Sequence, residues 1–145
     1  MDMPEYITVD EVKRVCREVG LRDWTGITAP EVSEKEAKII LSIVNTESMG
    51  IEIDDFREGL AVELEHGTRF SDANVTNNHP ILTGMIVLAH LKETLDYYKR
   101  LDVAEIEGDL LKAIEKKDPS KTREKYLELA EAQKRLGHAI EKQLK

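Results

Sequence analysis

Apolar residues recur at helical spacing along most of the chain. Val12, Val15, Cys16 and Val19 form one stripe, which predicts a first helix over Val9–Val19. Thr8 and Glu11 have capping-box spacing before it, Ile7 and Val12 are placed as a hydrophobic staple, and Gly20 is a natural stop. A second helix follows Ser33, whose capping partner is Glu36, and runs to about Asn45 with Ala37, Ile40, Leu41 and Val44 on one face. Between them, Leu21 to Val32 holds Trp24, Gly26 and Pro30 and reads as a loop in which Trp24 fills a gap. Ile51-Glu52-Ile53 alternates, but over too few residues for a sheet.

The pattern then predicts a third helix from Asp54 to Gly67, with Phe56, Leu60 and Leu64 facing inward. A loop with Asn74, Asn77 and Asn78 leads to Pro80, which suits the first turn of a fourth helix reaching about Leu101. The first half of that helix is apolar nearly all round and predicts a central, buried element. A fifth helix covers about Ala104–Lys117. Asp118-Pro119 stops it and starts a sixth, ending near Leu144, with Tyr126, Leu129, Ala130, Gln133, Leu136, Ile140 and Leu144 on its buried side. The expected fold is all-α: an irregular or orthogonal bundle of five to six helices with a long C-terminal helical hairpin. The expected division is a core over residues 1–101 and a charged hairpin over 102–145.

With 145 residues, 41% hydrophobic and 34% charged, the chain has the composition of one ordinary globular domain. Aromatics are few (two Phe, four Tyr, one Trp), so the core is expected to be aliphatic. Net charge is −8, and its distribution is uneven: 11 basic and 19 acidic residues up to Leu101, then 10 of each. An acidic body disfavours nucleic acid as a partner, and no basic amphipathic helix or long apolar run points to a membrane. The single Cys16 and the lack of a secretory pattern predict a cytoplasmic protein.

The chemistry-bearing residues gather on the third and fourth helices. On a helical wheel Glu63 falls between Phe56 and Leu60, and His66 flanks the same face. A carboxylate on an apolar face is costly unless it is paired, protonated or bound to a cation. Glu63-x-x-His66 also lets one helix offer two ligands to one metal. His90-x-x-Glu93 on the fourth helix is a second such pair in reverse order. Glu63, His66, His90 and Glu93 therefore make a candidate divalent-metal site, for Zn or Fe, of the kind built between facing helices. His79, Asp96 and Tyr97 are candidates to support it. Two clusters compete, because His90 lies roughly 15 Å along its helix from Pro80. In a simple antiparallel hairpin His79 is nearer than His90 to Glu63 and His66. Other readings of the same residues are structural: Glu63 pairing with Arg57, Arg69 or Arg100, and His90 as a satisfied core histidine. Asn74-Val75-Thr76 matches a glycosylation sequon without other signs of export.

Three segments carry a resemblance: Phe56 to Gly67 (FREGLAVELEHG), Asn74 to Asn77 (NVTN) and Leu88 to Tyr98 (LAHLKETLDYY). Together they resemble a family of small proteins classed as a domain of unknown function. The resemblance implies that Glu63, Glu65, His66, His90, Glu93 and Asp96 belong to the family pattern, and it brings no activity. In that pattern an acidic residue often precedes the Pro, where this chain has His79. The N-terminal helices and the C-terminal hairpin fall outside it. Two functions follow as expectations. One is a metal-binding helical protein, whether an enzyme or not. The other is a non-catalytic interaction module whose C-terminal hairpin binds an unknown protein or its own copy as a weak homodimer. A polar cavity at Glu63 favours the first, and exposed apolar residues on the sixth helix favour the second.

Overall fold

The computed structural model describes residues 4–145, and among them the structure is all-helical, with no strand. Six α-helices follow in order: α1 Val9–Val19, α2 Glu34–Val44, α3 Ile53–Arg69, α4 Pro80–Glu93, α5 Tyr97–Glu115 and α6 Pro119–Gln143. Short 3-10 turns occupy Trp24–Gly26 and Ser71–Ala73. The chain divides into two compact units, one ending at Glu93 and the other starting at Thr94.

Capping sets the helix ends. Thr8 accepts from the Glu11 amide at 3.2 Å, but the Glu11 carboxylate turns to Arg14, so only half of that capping box forms. Around Ser33 and Glu36 both halves form. Gly20 ends α1 at φ 76°, a left-handed conformation open to glycine, and the Leu21 amide bonds back to the Cys16 carbonyl at 2.8 Å.

In the first unit α2, α3 and α4 pack against one another, and α1 packs on the Trp24 turn. Ile40, Phe56, Leu60, Leu64, Val87 and Leu91 form the buried apolar centre, aliphatic apart from Phe56. Gly84 sits where α4 meets the other two: a Cβ there would lie 2.4 Å from Ile40 Cγ2. Trp24 is fully buried, as expected of a gap-filling side chain, and its indole N–H donates to Glu36 Oε1 at 3.0 Å. Glu36 also accepts from the Ser33 amide and hydroxyl and pairs with Arg22 at 3.0 Å. Burial pushes the Glu36 pKa up, but these donors together hold it below the ordinary Glu value.

The fourth helix stops at Glu93 and does not run on to Leu101. The break is polar and local. The Thr94 hydroxyl donates to Asp96 at 2.5 Å, and Arg100 clamps both Asp96 oxygens at 2.8 and 2.9 Å. Arg100 is the leading cause of an Asp96 pKa below the ordinary value.

The second unit is the predicted hairpin, α5 packed on α6. Lys117 turns the chain at φ 53°, and Asp118 caps α6 by accepting from the Lys121 amide at 3.0 Å. The buried line differs from the expected one. Ala113 and Ala132 are buried, Leu129, Leu136 and Ile140 are half-buried, and Tyr126, Ala130, Gln133 and Leu144 are exposed. Two alanines near the contact leave the larger apolar residues of α6 toward its flanks.

Candidate functional site

The loop between α3 and α4 shapes the candidate site. Asn77 and Asn78 both adopt left-handed backbone, at φ 48° and 57°, which asparagine tolerates better than most residues. The Asn77 amide donates to Glu5 Oε1 at 2.6 Å and to the Ile7 carbonyl at 2.7 Å, tying the loop to the segment before α1. Asn78 is buried, its side chain 3.4 Å from the Trp24 carbonyl, and its backbone amide donates to Asn74 Oδ1 at 3.0 Å. Gly67 makes room for this: a Cβ there would stand 2.0 Å from Asn78 Oδ1. The NVTN segment is thus a structural clasp, with Asn74 engaged inside it.

Against the clasp lies a cleft of about 280 Å³. Its polar lining comes from Glu63 and His66 on α3, Asn74, Thr76 and Asn78 in the loop, and Thr83 on α4, and it includes no Lys or Arg. Glu63 sits between two imidazoles: His90 Nε2 lies 3.6 Å from Oε1, and His66 Nδ1 lies 3.6 Å from Oε2. The Glu63 side chain is 12% exposed, His90 30% and His66 66%. His66 Nδ1 also lies 3.1 Å from the Glu63 carbonyl, which orients the ring along its own helix. The anticipated offset between Glu63 and His90 does not arise. α3 continues past Gly67 to Arg69, and the ten residues before Pro80 let α4 shift along it.

The other candidate residues lie elsewhere. Glu93 is exposed at the end of α4 and makes no ion pair among the described residues. His79 is buried at the start of α4, where Nδ1 accepts from the Leu82 amide at 3.4 Å, and its charged neighbours are Glu11 and Arg14. Burial pushes its pKa below the ordinary His value. Of the two competing groupings, the structure brings together Glu63, His66 and His90. Asp96 belongs to the Thr94–Arg100 clamp, and Tyr97 packs edge-on against Tyr98 with centroids 5.2 Å apart. Among the described residues no three His, Cys, Asp or Glu side chains are arranged as a ready ligand set. Sequence reasoning missed the Trp24–Glu36–Arg22 hub, whose one visible sign was the capping-box position of Glu36.

No helix of the described chain is long and apolar enough to cross a membrane. No curated protein and no solved structure matches the chain. A family model described as a protein of unknown function (DUF5661) matches residues 12–107. That span reaches beyond the motif segments at 56–98 and takes in most of α1, all of α2 and the first part of α5, so the N-terminal helices lie inside the family and α6 outside it. Since the match covers well over half of the chain, the protein belongs to this family, DUF5661.

Proposed function

We propose that the first unit binds a divalent cation, Zn or Fe, through Glu63 and His90, with His66 as a third ligand. The observation that carries this reading is one largely buried carboxylate presenting each of its oxygens to a different imidazole nitrogen at 3.6 Å. That separation exceeds a hydrogen bond. It is close to the spacing of about 3.4 Å between two tetrahedral ligands that each stand ~2.1 Å from one metal. His66 is exposed enough to turn its ring away from the Glu63 carbonyl and offer a lone pair. The adjoining cleft has room for a small polar molecule beside the cation, and a lining without Lys or Arg suits positive charge. Glu93 has no part in this reading. The buried, single Cys16 fits action in a reducing cytoplasm.

Elemental analysis of protein purified without a metal-affinity tag tests it. About one equivalent of Zn or Fe is expected. It should be lost in Glu63→Gln and in His90→Ala, and a chelator should lower the melting temperature of the wild type. Metal-free protein whose melting is unmoved by added Zn or Fe(II) overturns the reading.

A second reading has its own support. Along the hairpin Leu111, Ile114, Tyr126 and Leu127 are each about half exposed or more, so α5 and α6 carry apolar surface that neither covers. That surface supports an interaction module acting through the hairpin, whether the partner is another protein or a second copy.

A further inference from the structure

At the tip of the hairpin the end of α5 and the start of α6 enclose an open trough of about 590 Å³. Ile114, Pro119 and Tyr126 give it an apolar floor, and Lys117, Thr122 and Arg123 complete the lining. Ile114 is 48% exposed and Tyr126 57% exposed. Leu111 lies one helical turn before Ile114 on the same face and is 58% exposed, so apolar surface continues beyond the trough.

Its charge is one-sided. No carboxylate lines the trough, and neither Lys117 nor Arg123 forms an ion pair among the described residues. Their neighbours show the contrast. Lys112 and Lys125 share Asp109, with Lys125 also held by Glu128, and Asp118 at the turn accepts from the Lys121 amide. The Lys117 backbone is fixed by the turn, its amide donating to Ile114 at 2.9 Å, so that cation is carried on a defined corner.

We infer that the hairpin tip is a docking site for an acidic, apolar-centred segment of a partner protein, its carboxylates meeting Lys117 and Arg123 and its apolar side chains seated on Ile114, Pro119 and Tyr126. Tyr and Arg at the centre of such a patch are the residue types that most often dominate binding. The trough is open and its apolar surface runs on to Leu111, which fits a peptide segment better than an enclosed small molecule. A nucleic acid would bring phosphates to the same two cations, but a chain of net charge −8 repels a long polyanion. A second copy docked symmetrically would bring its own Lys117 and Arg123 against these two cations. The inference rests on the interaction reading above and narrows it to one kind of partner.

The test uses the full chain and a fluorescent peptide of Glu and Leu, with Leu at helical i, i+3 and i+4 spacing, read by anisotropy. The same peptide with Lys for Glu is the control. Micromolar binding of the Glu peptide alone is expected. It should weaken about tenfold or more in the double variant Lys117→Glu/Arg123→Glu, weaken in Tyr126→Ala, and fall with added salt. All three positions lie at the surface of the tip, and circular dichroism of each variant should match the wild type. Equal binding of both peptides, or binding untouched by the double variant, overturns the inference. So does tighter binding of an oligothymidylate than of the Glu peptide. A dimer of the chain alone in sedimentation velocity, abolished by Tyr126→Arg, would assign the patch to self-association. That result would sink this inference while leaving the broader interaction reading standing.

Discussion

Replacing Gly84 with alanine tests how α4 is seated on its neighbours. In a helix interior the change should stabilise by about 0.8–1.0 kcal/mol, because alanine loses less backbone freedom on folding. At Gly84 that gain meets an obstacle. The added Cβ would lie 2.4 Å from Ile40 Cγ2, 3.4 Å from Val44 Cγ1 and 3.5 Å from Phe56 Cζ. Carbon atoms prefer about 3.5–4.0 Å, so roughly 1 Å must come from shifting Ile40 or α4 itself. Ile40 and Phe56 are fully buried, and forcing extra volume into such packing costs about 1–3 kcal/mol. The balance is a net loss of about 1 kcal/mol, or a fall in Tm of about 4–8 °C for a unit of this size. Gly108 in α5 and Gly137 in α6 are the controls: a Cβ meets nothing within 4 Å at either, so alanine there should raise stability. Trp24, the one tryptophan, is buried in the first unit, so its fluorescence follows that unit through a urea titration while far-UV circular dichroism follows all helices. Ile40→Ala removes the clashing Cγ2, so Gly84→Ala should cost less in its presence, with a coupling of about 1 kcal/mol. If Gly84→Ala stabilises as much as Gly108→Ala, or shows no coupling to Ile40, the close approach of α4 to α2 is wrong.

Two pH effects follow from buried groups of the first unit. The Glu36 pKa is depressed in the fold, so its contribution is present above the unfolded value of about 4.3 and is lost as pH falls through the folded value; Glu36→Gln should flatten that acid limb of the Trp24 transition and lower stability at neutral pH. His79 is also depressed, by burial, so the fold holds it neutral: its contribution is complete above about 6.5 and drains away as pH falls below that toward the folded value, with Glu11 opposing and Arg14 reinforcing the effect. His79→Asn keeps a polar group at the start of α4 and should remove the dependence near that pH, and a wild type whose stability is flat from pH 7 down to 5 would contradict the assignment.

What the pattern along the chain revealed depended on whether local chemistry agreed with periodicity. The start of α2 was legible to the residue because Ser33 and Glu36 carry both the cap and the register. The Phe56, Leu60 and Leu64 stripe was legible because all three face one buried line. The break at Thr94–Asp96 was not, since Leu91 and Tyr98 keep the apolar pattern running across it while the interruption comes from side chains of Thr94, Asp96 and Arg100. On α6 the periodicity pointed to Tyr126 and Leu144, yet burial fell on Ala132, because a stripe of apolar residues gives a face and not the depth of contact. At the candidate site, the inward bias of Glu63 was readable from the wheel. The choice between His90 and His79 as its neighbour stayed open, because that depends on how a ten-residue loop lets one helix slide along another.

The segments that carry the resemblance divide physically into residues explained by the fold and residues that are not. Gly67, Asn74 and Asn77, together with Asn78 just after the NVTN segment, are accounted for by the clasp: each gives space, a left-handed turn or a hydrogen bond that joins loop to core. Phe56, Leu60, Leu64 and Leu91 are accounted for by burial. Glu63, His66 and His90 belong to neither the clasp nor the buried apolar centre. Packing beside Leu60 and Leu64 needs no charge, and a glutamine would fill the Glu63 position without desolvating a carboxylate. His66, two-thirds exposed, adds nothing to the core. A carboxylate held between two imidazoles is sensible if a positive charge shares the space, which is the support for a cation there. The division has a measurable consequence. Changes in the clasp, such as Asn78→Ala, should disturb Trp24 through its carbonyl contact, whereas Glu63→Gln, aimed at the cation, should leave the Trp24 spectrum in place and alter metal content. A Glu63→Gln variant that shifts Trp24 as much as Asn78→Ala does would place Glu63 with the structural residues and remove the main argument for a site.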